Sequence, residues 1–185
     1  MVVSMNERLD RQAWIDAGLA AMAEGGVEAV RIEPLAATMK VTKGSFYWHF
    51  KDRPALLAAL LEAWQASATG DIIARVEARG GDAQQKLGHL FAIVIGADGR
   101  LDMAVRNWAD QDPAAHAAMN AVDRRRLDYV ADLFSALGFG AAEALARARF
   151  AYQGLIGQYR IGGVPREERL TEALVIVLPM LTRRG

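Results

Sequence analysis

The chain has 185 residues, a formal net charge of zero and no cysteine. That length suffices for one substantial core or a small head on a larger body, and the missing thiols exclude disulfides, thiolate catalysis and cysteine metal sites. Neutrality argues against a general nucleic-acid coat, and the lack of any continuous apolar run of roughly 18 residues, or of a basic stretch leading into one, predicts a soluble cytoplasmic protein with no membrane partner.

Ile15, Leu19 and Met22 recur at helical intervals and predict a first helix over residues 7–24, ended by Gly25-Gly26. Val27, Val30 and Ile32 lead into a short second helix carrying Leu35 and Ala36, with Pro34 in its first turn, where a missing N–H costs little. Met39-Lys40-Val41-Thr42 reads as a tight turn. Residues 43–50 then predict a third helix with two unlike faces. Phe46 and Phe50 share one and pack inward, while Lys43, Gly44, Tyr47 and Trp48 fall mostly on the other.

Thr42 is placed to cap this helix, and the small Gly44 and Ser45 let its first turn approach base edges. Tyr47, His49 and Lys51 are donors suited to phosphate oxygens, Lys43 suits phosphate or base, and the Trp48 ring suits a thymine methyl or a sugar. An ordinary amphipathic core would explain the two Phe residues but not Tyr47 and Trp48. Short helix, turn and small-residue helix together make a helix-turn-helix whose second member enters a major groove. Lys40, Lys43, Lys51 and Arg53 against Asp52 make the segment locally positive within a neutral chain.

The segment resembles the DNA-binding domain of the TetR family (TetR/AcrR-like) of one-component bacterial transcription regulators, whose hallmark is a small-residue recognition helix ending here in Phe46-Tyr47-Trp48-His49-Phe50. The likeness is close to about residue 60 and extends further only in helical layout. It implies operator contacts by Thr42, Lys43, Ser45, Tyr47 and His49. Two positions depart from the family pattern. Lys40 stands where a turn glycine is usual, so a left-handed backbone there would cost roughly 1 kcal/mol, and Arg31 replaces the usual Ser or Thr cap. The residues expected to meet double-stranded DNA are Lys40, Thr42, Lys43, Gly44, Ser45, Tyr47, Trp48, His49 and Lys51.

Beyond Asp52, a residue suited to cap a helix, Leu56, Leu57, Leu60, Leu61 and Trp64 form a wide apolar stripe on a helix that connects head to body. Gly80-Gly81-Asp82 interrupts the pattern, and Leu87, Leu90, Phe91 and Val94 mark the next helix, closed by residues 96–99. A short helix over 101–110, a long one over 114–137 and two more over 141–161 and 166–182 complete an all-α chain of eight or nine helices. The expected organisation is an N-terminal three-helix helix-turn-helix domain over residues 7–53, followed by a helical ligand-binding and dimerisation body over 54–185.

In the body, Leu170, Leu174, Val177, Leu178 and Leu181 predict an apolar seam that serves one subunit's core or a second subunit, while Gly154 and Gly157 leave room for close backbones. The resemblance implies a four-helix dimer interface there, and two heads about 34–36 Å apart would read a palindromic operator. Trp64, Phe91, Met103, Trp108, Met119, Tyr129 and Phe134 are either core filling or the lining of a cavity for an unidentified small-molecule effector, with Arg106 an exposed side chain or its charged anchor. His49, His89 and His116 have no metal-ligand spacing, Asp110, Asp112 and Asp123 suit capping and solvation, and the glycine pairs lack a phosphate-loop ending, so neither metal nor cofactor is expected. The resulting expectation is a homodimeric, ligand-responsive regulator, by default a repressor. The rivals are a ligand-binding dimer that has lost DNA binding and an all-α enzyme using Arg106, Asp110 or Tyr129.

Overall fold

In the computed structural model, which describes residues 10–183, the first helix begins where the sequence offers a cap. Asp10 accepts a hydrogen bond from the Ala13 amide at 2.9 Å. Helix α1 (Arg11–Gly25) then runs to Gly26, whose φ of 70° stops it. The expected residues 7–9 of this helix lie outside the described residues. One 3-10 turn at Val27–Ala29 leads into α2 (Ile32–Thr38) and α3 (Lys43–Tyr47). Asp52 caps α4 (Arg53–Gln65) by accepting from the Ala55 amide at 2.9 Å, with Pro54 in the first turn.

Helix α4 does not stop in the body. It widens into a π-helical turn at Ala66–Asp71 and continues as α5 (Ile72–Arg79), until Gly80 and Gly81 turn the chain at φ of 66° and 97°. Asp82 and Gln85 form a capping box at the start of α6 (Ala83–Ile95). Helices α7 (Arg100–Ala109), α8 (Pro113–Ala136) and α9 (Ala141–Ile161) follow the expected layout within a residue or so. The last expected helix is α10 (Arg166–Thr171), a second π-helical turn at Glu172–Val177 and α11 (Leu178–Thr182). Among the described residues there is no strand, and no helix is long and apolar enough to cross a membrane.

Two apolar cores hold these helices. The first starts in the head with Trp14, Phe46 and Phe50 and continues without a break through Leu60 and Trp64 of α4, Val105 and Trp108 of α7 and Met119 of α8. Helices α1 and α4 cross so closely that a Cβ at Gly18 would sit 2.9 Å from the Leu60 side chain. The second core joins Leu87 and Phe91 of α6, Val130 and Phe134 of α8, Ala144 and Ala148 of α9, and Leu178 and Leu181 of α11. The head is therefore attached to the body by α7 as well as α4.

Candidate nucleic-acid interface and effector cavity

Phe46 is 0% exposed, edge-on to Trp14 at 5.2 Å and stacked on Phe50 at 5.5 Å, and the Arg11 guanidinium covers the Phe50 ring. Anchoring that face turns the other outward, leaving Tyr47 54% and Trp48 84% exposed. Lys40, Thr42, Lys43, Gly44 and Lys51 are exposed with them, and Ser45 and His49 are half-buried at the edge of the same surface. The helix expected over residues 43–50 ends at Tyr47 with Trp48 as its C-cap, and a segment this short that gives two Phe residues to the core and leaves an indole in water has a face built for something else.

Three side chains make local contacts that bear on this face. Thr42 sits at the N-cap position with extended backbone, but its hydroxyl makes no cap bond, because the Ser45 amide goes to Thr42's own carbonyl at 3.0 Å. The hydroxyl is thereby left exposed. Arg53 is no part of the basic face, since it donates to the carbonyls of Val30 at 2.6 Å and Val27 at 2.7 Å and pins the 3-10 turn to α4. Lys43 reaches back to Glu33 at 2.7 Å on the exposed surface, a bond that raises the lysine above its ordinary value and lowers the glutamate. Exposed pairs of this kind are worth little, so exchanging Glu33 for a phosphate oxygen costs little.

Lys40 accepts the strain its position implies: its φ is 57°, the single positive value for a non-glycine among the described residues. Lys40→Gly is expected to raise stability by about 1 kcal/mol, read as a higher urea midpoint with an unchanged slope. An unchanged or lower midpoint would mean the lysine side chain gains enough from its surroundings to offset its backbone.

In the body, a cavity of about 530 Å³ lies between the α4–α5 rod, α6, α8, α9 and the α10–α11 rod, and both π-helical turns line it. Trp64, Phe91 and Tyr129 line it. The other anticipated lining residues go elsewhere. Trp108 and Met119 fill the head-side core, Phe134 packs edge-on to Phe139 at 6.1 Å in the second core, and Met103 is half-buried on α7 away from the lining. Arg106 is neither exposed nor in the cavity, because Asp123 accepts both of its terminal nitrogens at 3.0 and 2.7 Å.

The anticipated seam also divides. Leu178 and Leu181 are each 6% exposed within this one chain, Leu170 and Leu174 are half-buried against the same core, and Val177 faces the cavity. The wide turn at Glu172–Val177 breaks the regular helical phase that the sequence pattern assumed. The outward apolar residues of this rod are Val175, Ile176 and Met180 instead. On α9, Phe150, Gly154, Gly157 and Ile161 follow at spacings of one helical face, both large residues are exposed, and a Cβ at either glycine would meet nothing within 4 Å.

One end of the cavity carries a charge network absent from the sequence reading. Asp102 of α7, 8% exposed, accepts from Arg126 at 2.7 Å. Arg126 also donates to the Ala68 carbonyl at 3.2 Å and the Tyr152 hydroxyl at 3.0 Å, while that hydroxyl donates to Asp123 at 2.6 Å. Burial works against the Arg126 charge, but Asp102 and Tyr152 outweigh it and hold the guanidinium above its ordinary range. Gly99, left-handed at φ 68°, caps α7 here, and any Cβ on it would overlap the Tyr159 ring. Tyr159 donates to the Val94 carbonyl at 2.7 Å. Tyr129 donates to Glu77 at 2.7 Å and is raised, first by burial and then by that carboxylate.

Burial pushes both Tyr152 and Tyr159 up to about 12, with Asp123 adding to the first and Asp102 to the second, against opposing arginines. A raised phenol favours its neutral form in the fold, so the stability it contributes is complete below the ordinary tyrosine value and drains away as pH climbs toward about 12. Urea midpoints are expected to fall between about pH 10 and about pH 12, less steeply in Tyr152→Phe. Equal slopes in both proteins would show that other groups carry the alkaline loss.

Residues 15–60 match the family described as bacterial regulatory proteins, tetR family. Over 56 residues the chain is 41% identical to tetracycline repressor protein class G of Vibrio anguillarum, a stretch that is 30% of this chain and 27% of that protein. The likeness to that family is carried by the amino-terminal segment, residues 15–60. The match spans about a quarter of that curated relative's length, and beyond it the likeness is one of fold alone. The reduced form of NemR from E. coli superposes with a TM-score of 0.75 at 20% identity, covering 90% of this chain and 95% of that one. A transcriptional regulator from Rhodococcus sp. Rha1 gives 0.76 at 21% identity over 93% and 95%.

Proposed function

We propose that the chain is a TetR-family, ligand-responsive DNA-binding transcription regulator, by default a repressor, acting as a homodimer on a palindromic operator. The observation that carries the reading is the outward face of α3: Tyr47 and Trp48 stand in water beside Lys40, Lys43 and Lys51 while Phe46 and Phe50 hold the helix down. Thr42, Gly44 and Ser45 supply a small first turn for the groove, Tyr47, His49 and Lys51 bond phosphates, and Lys43 exchanges Glu33 for DNA. The Trp48 ring covers a sugar or a thymine methyl.

The effector enters the cavity beside Trp64 and Asp102. Because Trp64 lies on α4 and Asp102 on α7, the two helices that share a core with the head, a ligand that prefers one arrangement of them biases head spacing. Coupling requires that differential preference, whatever the affinity.

The second subunit packs on the stripe of Phe150, Gly154, Gly157 and Ile161 and on the outward Val175, Ile176 and Met180. Ile176→Glu is expected to release monomers at micromolar concentration, seen in sedimentation velocity. A persisting dimer would move the interface elsewhere.

Selection of the purified chain on a randomised duplex library at about 0.15 M salt tests the main reading. Enrichment of a palindrome supports it. Retention without a motif, or none, favours a ligand-binding dimer silent toward DNA.

A further inference from the structure

The charges around the cavity are not all satisfied, and the pattern of what is left has a sign. Asp102 is held by Arg126 at 2.7 Å with Arg106 a further 3.7 Å from its other oxygen, and Asp98 is paired with Arg100 at 2.9 Å. Arg169 of α10 has no such partner. It lines the cavity half-buried, makes no salt bridge among the described residues, and its Nε is buried without a hydrogen-bond acceptor. Two more lining groups are buried and unpartnered: the Gln158 Nε2 and the hydroxyl of Thr69, which is 2% exposed in the first π-helical turn.

The free groups are thus a cation, an amide donor and a hydroxyl. A buried donor left without an acceptor costs free energy, and a buried cation without a counter-charge costs more. The two remaining acceptors on the lining are poor partners for them. Asp102 Oδ2 is unpartnered in hydrogen-bonding terms but stands between two arginines, which repel an ammonium ligand there, and Glu172 is exposed to solvent at the second π-helical turn. Away from these groups the wall is apolar, with Ile72, Phe91, Val94 and Leu155 along it.

We propose that the effector is an amphiphilic monocarboxylic acid, its carboxylate taken by Arg169 with Gln158 and Thr69 as further donors, and its alkyl or aryl body laid along Ile72, Phe91, Val94 and Leu155. A carboxylate satisfies several donors at once and cancels the unpaired charge, and the cavity is of the size that encloses such a molecule. The assignment rests on the cavity being the effector site.

The test is calorimetric titration of the whole chain with decanoate, decanol and decylamine, each below its micelle concentration. Decanoate is expected to bind about tenfold more tightly than decanol, with decylamine weakest. Arg169→Gln should bring decanoate down to the decanol affinity and leave decanol unchanged, whereas Arg169→Lys keeps most of the preference. Gln158→Leu, which removes a second donor, should narrow the same gap and serves if Arg169→Gln does not fold. Equal binding of acid and alcohol to the wild type, or a preference that survives Arg169→Gln, overturns the carboxylate and leaves the cavity reading standing. Failure of all three probes to bind overturns both.

Discussion

Asp102→Ala is expected to destabilise the chain by about 3 kcal/mol, the lower end for breaking a buried pair by removing one partner, since Arg126 keeps some access to solvent. Asp102 is the acidic centre between two arginines, at 2.7 Å from Arg126 and 3.7 Å from Arg106. Without it, Arg126 retains the Ala68 carbonyl and the Tyr152 hydroxyl but loses its nearest counter-charge. Asp102→Asn keeps the shape and one acceptor and should fall between wild type and alanine. The readout is the urea midpoint at constant slope. Because α7 also packs in the core shared with the head, Asp102→Ala should loosen head and body together, giving one cooperative transition. A loss below about 1 kcal/mol would mean the pair is worth no more than an exposed one, and Asp102 would then be a poor candidate for linking the cavity to the head.

How much of this was legible depends on whether the signal was local. The head could be read because two Phe residues four apart, with Tyr and Trp between and beside them, fix which face of a short helix goes inward. Helix starts could be read where an aspartate caps them, as Asp52 and Asp112 do. The cavity's charge network could not be read so directly, though its signal was present. Met119, Val122, Arg126, Val130 and Leu133 continue one helical stripe, and a charge on an apolar stripe points inward, yet the run Arg124-Arg125-Arg126 looks like a solvated face.

Arg53 misled for a related reason. Its charge counted toward the DNA face, but two backbone carbonyls distant in sequence claim it. The seam failed through geometry: an apolar pattern projected at regular helical pitch runs out of phase once a π-helical turn intervenes at Glu172–Val177. Tyr152 and Tyr159 became recognisable only when helices far apart in the chain closed over them.

Phe46→Ala should be the most damaging change in the head, costing about 3–4 kcal/mol. The ring is fully buried and touches Trp14, Tyr47 and Phe50 at centroid distances of 5.2, 5.3 and 5.5 Å, so no neighbour can close the gap without unseating α3. Retention of duplex DNA should be lost with it. Trp48→Ala is the complementary experiment. At 84% exposure the indole supports nothing in the fold, so stability should stay within about 0.5 kcal/mol of wild type while DNA binding weakens. The two variants separate anchoring from contact between the five-residue α3 and the C-cap residue that ends it. If Trp48→Ala lowered stability as Phe46→Ala does, the indole would belong to the core and the outward face would lose its largest group. If it changed neither stability nor DNA retention, the operator contacts would have to come from the small first turn and the lysines alone.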